Sequence, residues 1–234
     1  MQDQKRARKR TRPLLRALCI GIILFALVAV IVVYLFTQVP RHYHPLAPVA
    51  KEEVNPYLTH YLAPNFHNNI QLDQPFEVIV LQRELNEIIV DERSLGWSWP
   101  VYLDGVNVSA PSVVFVPKTI YLMATVDYAG FPVVVTFVVS PKLGPNGLLS
   151  LNLQKVKAGA IGITPLARFI GQRIIAAQIP QVERNQWLKD LEGALLRNDP
   201  FDPVFPIYQS DKAIRLTAVD VTHRKVVLNF APAH

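Results

Sequence analysis

From Ala17 to Phe36 the chain carries twenty consecutive residues without a charge, ALCIGIILFALVAVIVVYLF, nearly all of them apolar. As a helix rising about 1.5 Å per residue, this run is ~30 Å long, the thickness of a bilayer's hydrocarbon core. A buried helix of a soluble protein seldom runs this far without a polar face. A cleaved secretory signal has a shorter apolar region, about 7–15 residues, closed by small residues at the cleavage site. Thr37-Gln38-Val39-Pro40 offers no such site, and Arg16-Ala17-Leu18 before Cys19 makes a poor lipoprotein signal. The run therefore predicts an uncleaved, single-pass signal anchor.

Charge sets the expected direction of insertion. Lys5, Arg6, Arg8, Lys9, Arg10, Arg12 and Arg16 precede the run against one acid, Asp3. Positive charge is retained on the cytoplasmic side, so these residues predict a cytoplasmic amino terminus and an extracytoplasmic remainder. Residues 41–234 hold seventeen basic and seventeen acidic residues. The high pI thus belongs to the tail, and a nucleic-acid-binding domain, whose positive charge should lie on its folded surface, is not expected. A single cysteine excludes a disulfide framework and a cysteine-based zinc site.

Four regions follow: a basic tail over 1–16, the anchor over 17–36, a Pro-containing tether with a short helix over 37–73, and an outer domain over 74–234. Pro40, Pro45 and Pro48 stiffen the tether. Asn55-Pro56 predicts a helix start and Pro64 its end. Beyond it, period-two alternation predicts half-buried antiparallel strands: Phe76, Val78 and Val80; Ile120 to Val126; Leu149, Leu151 and Leu153; Ile214, Leu216 and Ala218; Val226, Leu228 and Phe230. Tyr128-Ala129-Gly130 and Gly144-Pro145-Asn146-Gly147 supply turns, so 118–156 predicts a three-stranded meander. Helices are expected over Arg83–Glu92, from a Thr164-Pro165 cap to about Ile179, and over Glu183–Arg197. The expected class is α+β: one N-terminal transmembrane helix, then a curved antiparallel sheet packed with two or three helices.

Phe131–Val139, FPVVVTFVV, departs from the alternation because it is apolar on both faces. Either both sides are covered by an ordinary core, or part of this surface lines a groove for an apolar ligand. In the second case Val133, Val135 and Phe137, with Phe169 and Ile170 of the following helix, form the expected groove.

The order of segments carries a resemblance. A strand running into ELNEII, the meander, LNLQKVKAGAIGITPLARFIGQRI and a terminal strand pair resemble the YpmS-like family of bacterial membrane-anchored proteins over roughly residues 74–232. The stretch from Gly159 to Pro165 is the most specific part. The resemblance implies an outer domain similar to tubular lipid-binding (TULIP-like) modules, in which a curved sheet wraps a long helix around an acyl-chain groove. The expected function is accordingly a membrane-anchored domain that binds membrane lipid or another apolar ligand. The alternative is a non-enzymatic scaffold of the cell envelope with a solid core, docking an envelope protein complex.

Enzymatic chemistry is not expected. The chain has no G-x-S-x-G elbow and no G-x-x-x-x-G-K-[ST] loop. The acid pairs Glu52-Glu53 and Asp91-Glu92 suit a solvated face. His42-Tyr43-His44 places two imidazoles on one side of an extended chain, but no acidic third ligand lies nearby, so hinge residues are expected and no metal or other cofactor. Trp97 and Trp99 are expected at a bilayer interface, at a groove's rim, or packed over the end of the sheet.

Overall fold

The computed structural model describes residues 3–47, 54–95, 98–103, 105–165, 167, 190, 193–207 and 212–233. Helix α1 (Asp3–Phe36) carries the basic tail and the apolar run as one continuous element. Among the described residues it is the one helix long and apolar enough, over Leu18–Phe36, to cross a membrane. Every side chain from Leu18 to Tyr34 is exposed, whereas Leu35 and Phe36 are half-buried where the helix meets the rest of the protein.

The class is α+β, as the sequence predicts. Twelve antiparallel strands among the described residues divide into two main sheets and a small hairpin. The first sheet has the order β1 (Phe76–Leu81), β12 (Lys225–Ala233), β11 (Ala213–Thr222), β10 (Val204–Pro206). The second runs β2 (Val101–Leu103), β3 (Val106–Val116), β4 (Thr119–Tyr128), β5 (Phe131–Val139), β8 (Leu153–Ala158), β9 (Ile161–Gly162). Strands β6 (Lys142–Leu143) and β7 (Leu149–Ser150) form the hairpin. The meander is therefore β4-β5-β8, with the hairpin inserted before its third strand. Asn152, at φ 39°, breaks the Leu149–Leu151–Leu153 alternation, so only Leu153 joins the large sheet.

Pro64 does not end the first helix, contrary to expectation. Asn55 caps the start as predicted, its Oδ1 accepting the Tyr57 N–H at 2.9 Å. Tyr57–Leu62 then winds as a wide π-helical turn, and Ala63 N–H reaches back to Leu58 O. Proline within a helix clashes with the carbonyl four residues earlier, and a π turn is one way to relieve this. The helix continues as α2 (Ala63–Leu72), with Pro64 in its first turn. Its Phe66 packs edge-on against Phe76 and Phe230, which stack as cross-strand partners 5.4 Å apart.

A second correction concerns β11. Its register shifts between Leu216 and Ala218, leaving Thr217 as the extra residue, so Ala218 pairs with Asn229 and turns away from the face of Ile214 and Leu216. Val219 and Val221, beyond the bulge, continue the core face that Ala218 leaves. One inserted residue reverses every later side chain on a strand.

Helix α3 (Gln82–Val90) joins the two sheets. Strand β2 covers β3 only as far as Val108, so the later edge of β3 needs other partners. Asn86 donates to Val113 O and accepts from Val113 N–H, both at 2.7 Å. Gln82 Oε1 accepts from Phe115 N–H, and Phe115 O takes the N–H of Arg224 in the β11–β12 turn. Leu85 and Ile89 fill the space over Val113, Phe115, Val221 and Val226. Trp99 meets the end of this helix, its indole N–H donating to Ile89 O at 2.7 Å, whereas the packing expectation puts it over the end of the sheet. Trp97 lies outside the described residues.

Candidate functional site

The carboxyl end of α1 is built into the large sheet. A helix leaves its last carbonyls without partners, and here they are met from two sides. Thr37 folds back, its N–H and hydroxyl both reaching Val33 O. The turn between β8 and β9 supplies the Ala160 N–H, which donates to Leu35 O at 2.9 Å. Gly159 in this turn has φ +56°, and a Cβ there would collide with the carbonyl oxygens of Leu35 and Phe36. Glycine is required on both counts.

Beyond α1 the stretch expected as a tether lies across the face of the large sheet. Tyr43 is 8% exposed and packs with Met123 and Val134. Its hydroxyl donates to Ala110 O at 2.7 Å and takes a hydrogen bond from the Thr125 hydroxyl at 2.7 Å. Ala110 sits at φ 47° in the bulge of β3 between Ser109 and Ser112, so this contact also fastens the bulge. Burial pushes the Tyr43 phenol above its ordinary pKa, and the bond with Thr125 draws it partly back.

Strand β8 ends at Ala158, opposite Val135, so the start of β5 has no strand partner on that side among the described residues. Between this edge and the last turns of α1 is an apolar cavity of about 590 Å³. Val32, Val33 and Phe36 of the helix face Phe131 and Val133 of the strand across it, with Val39 between. Its size falls within the usual range of small-molecule pockets, ~300–1,000 Å³. The β4–β5 hairpin tip, with Ala129 and Gly130 at φ 52° and 85°, carries Tyr128 and Phe131 as a cross-strand pair. They are 66% and 75% exposed on the side of the apolar helix.

The expected groove residues divide between three environments. Val133 lines the cavity. Val135 packs in a core with Val139, Leu153, Val156, Ile163 and Leu195. Phe137 is 39% exposed, and Phe169 and Ile170 lie outside the described residues, as does most of each helix expected after Thr164. Thr164 accepts the Val156 N–H at 2.8 Å and so ties the start of that segment to β8. The other face of β5, with Val134, Thr136 and Val138 buried, lies on the side that Tyr43 covers. Lys5, Arg6, Arg8, Lys9, Arg10, Arg12 and Arg16 lie on the leading part of α1.

Sequence reasoning missed Val32, Val33 and Phe36 as cavity residues because a run apolar enough to cross a membrane masks any second role. The close approach of Gly159 to α1 was signalled only by the two glycines of Gly159-Ala160-Ile161-Gly162. His42 lies beside the Tyr121 ring, 5.9 Å between centroids. Among the described residues no three His, Cys, Asp or Glu side chains gather to hold a metal ion. Compared with known proteins, the chain matches no family model, no curated protein and no solved structure.

Proposed function

We propose that this protein is a single-pass membrane protein, amino terminus in the cytoplasm, whose extracytoplasmic domain sits on the bilayer and holds the acyl chain of a membrane lipid. The observation that carries the reading is the apolar cavity whose walls are shared between α1 and β5. Val32, Val33 and Phe36 belong to the segment apolar enough to span a membrane, so the cavity would open at the depth of the outer leaflet's chains. Tyr128 suits the same interface, where rings with one wet edge are favoured, and Phe131 beside it offers a wholly apolar ring. The resemblance to the YpmS-like family, with its lipid-binding type of outer domain, agrees with this reading.

Each methylene moved from water into the cavity would contribute ~0.8 kcal/mol, so a few carbons beyond the bilayer plane suffice for occupancy. The driving force is weaker for a chain that starts in the bilayer, and there the domain would act by shielding a lipid already raised from it.

The test is native mass spectrometry of the full chain released from detergent. The wild type should retain one lipid, and Val133→Trp, which puts an indole into the cavity and obstructs it, should retain less with an unchanged unfolding midpoint. Equal retention by both proteins would place the lipid elsewhere. A wild type without lipid, even after incubation with added phospholipid, would end the proposal.

A further inference from the structure

A second pocket, of about 360 Å³, lies beside the first and shares Val39 with it. Its chemistry differs. Arg41 and His42 enter from the segment after α1, Lys157 from β8, and Tyr121 and Thr136 from the sheet. Thr136 and Lys157 are cross-strand partners on one face. No acidic residue lines the pocket, and among the described residues neither Arg41 nor Lys157 is in an ion pair. Thr136 is 3% exposed and its hydroxyl has no hydrogen-bond partner. A buried polar group without a partner is costly and calls for an explanation. Three of the last four carbonyls of α1 are engaged, Leu35 O by Ala160 N–H and Val33 O and Tyr34 O by Thr37.

We infer that this pocket binds a phosphate group, namely that of an anionic glycerolipid whose chain occupies the adjoining apolar cavity. The inference rests on the lipid-binding reading for the source of the phosphate, though not for the phosphate chemistry itself. Two cations, an unpaired hydroxyl and an imidazole offer several donors and few acceptors, the complement of a phosphate's oxygens. The pocket begins at Gln38, two residues beyond the end of α1. That is the level at which a lipid places its headgroup when its chain lies alongside Val32 and Phe36.

The experiment compares phosphatidic acid with diacylglycerol of the same chains, added to the full chain in detergent and read by native mass spectrometry. The wild type should retain phosphatidic acid about tenfold over diacylglycerol, the scale of one charge-assisted contact. The double variant Arg41→Gln/Lys157→Gln and, separately, Thr136→Val should bring that ratio toward unity while diacylglycerol uptake persists. Thr136→Val also separates recognition from folding: it removes an unsatisfied hydroxyl, so its unfolding midpoint should hold or rise as the preference falls. Equal retention of the two lipids by the wild type, or a preference that survives both variants, overturns the phosphate site and leaves the lipid reading standing. Inorganic phosphate, titrated calorimetrically, distinguishes the remaining source. Binding that the double variant abolishes, with neither lipid retained, keeps the phosphate site and ends the lipid reading. If the wild type binds neither lipid nor phosphate, both fall.

Discussion

The Ala160 N–H donates to Leu35 O at 2.9 Å, across more than a hundred residues of sequence, and so joins a sheet turn to the end of the apolar helix. Gly159 permits that approach. Gly159→Ala forces a side chain into a left-handed conformation, at about 1–2 kcal/mol, and sets its Cβ against the carbonyls of Leu35 and Phe36. The expected outcome is a lower unfolding midpoint in detergent together with faster maleimide labelling of a Val133→Cys reporter, as the cavity opens. Unchanged labelling would mean that the turn does not hold the helix in place.

Tyr43 fastens the segment after α1 to the sheet by one hydroxyl. Tyr43→Phe keeps the ring and leaves Ala110 O without this donor, which should cost ~1–3 kcal/mol. Denaturant unfolding of the full chain in detergent measures it. Tyr43→Phe also takes away the acceptor of the Thr125 hydroxyl, so adding Thr125→Val should cost little beyond Tyr43→Phe alone.

Stability should also fall at alkaline pH. Burial raises the pKa of Tyr43 and of Tyr57, whose hydroxyl donates to Ile79 O. For Tyr57 the Leu81 N–H offsets part of the rise, while Tyr61 and Glu84 add to it. Between the ordinary tyrosine pKa, about 10, and the raised values, the unfolded chain has released protons that the folded one keeps. The stability present below pH ~10 is therefore lost as pH climbs through the folded values. Tyr43→Phe should flatten this dependence, and an equal slope in both proteins would count against it.

Asn86 stands in for a missing strand beside Val113. Asn86→Ala would strand a buried N–H and a buried carbonyl, and should destabilise by ~3 kcal/mol. Thermal unfolding would show it. Replacement of half-buried Glu87, whose partner Arg83 is largely in solvent, should cost no more than about 1 kcal/mol.

The aromatic pair at the β4–β5 tip tests the seating of the domain. Phe131→Trp provides a reporter which, in vesicles containing brominated phosphatidylcholine, should be quenched well beyond the native tryptophans. A tip held clear of the bilayer would show no such excess. Tyr128→Ser in the reporter background should reduce the quenching.

How much of this was visible in the sequence follows from the range of the interactions involved. Local signals held: the apolar run, the Asn55 cap, the turn at Ala129-Gly130 and the alternations of β1 and β12 depend on neighbours in the chain. The bulge at Thr217 escaped detection because Leu216 and Ala218 look like continuous alternation, and only pairing with Phe230 and Asn229 shows the phase change. Pro64 reads as a stop because proline usually is one, and the π turn before it has no comparably strong residue signature. The cavity combines Val33 with Val133, and the second pocket combines Arg41 with Lys157. In neither pair does one residue's local pattern indicate the other. FPVVVTFVV did announce an unusual strand. Its two apolar faces have different surroundings, the segment around Tyr43 on one and the core around Val156 on the other.

The unpartnered start of β5 has a practical corollary. A soluble fragment cut after α1 would lose the helix wall of the cavity and would present a bare strand edge at Val133 beside two exposed aromatic rings. Such an edge is a template for pairing between copies, and Gly159 and Ala160 would no longer have a helix end to grip. Dimers or fibrils formed by that fragment would be products of the excision. The helix long and apolar enough to cross a membrane is thus also a structural wall of this domain.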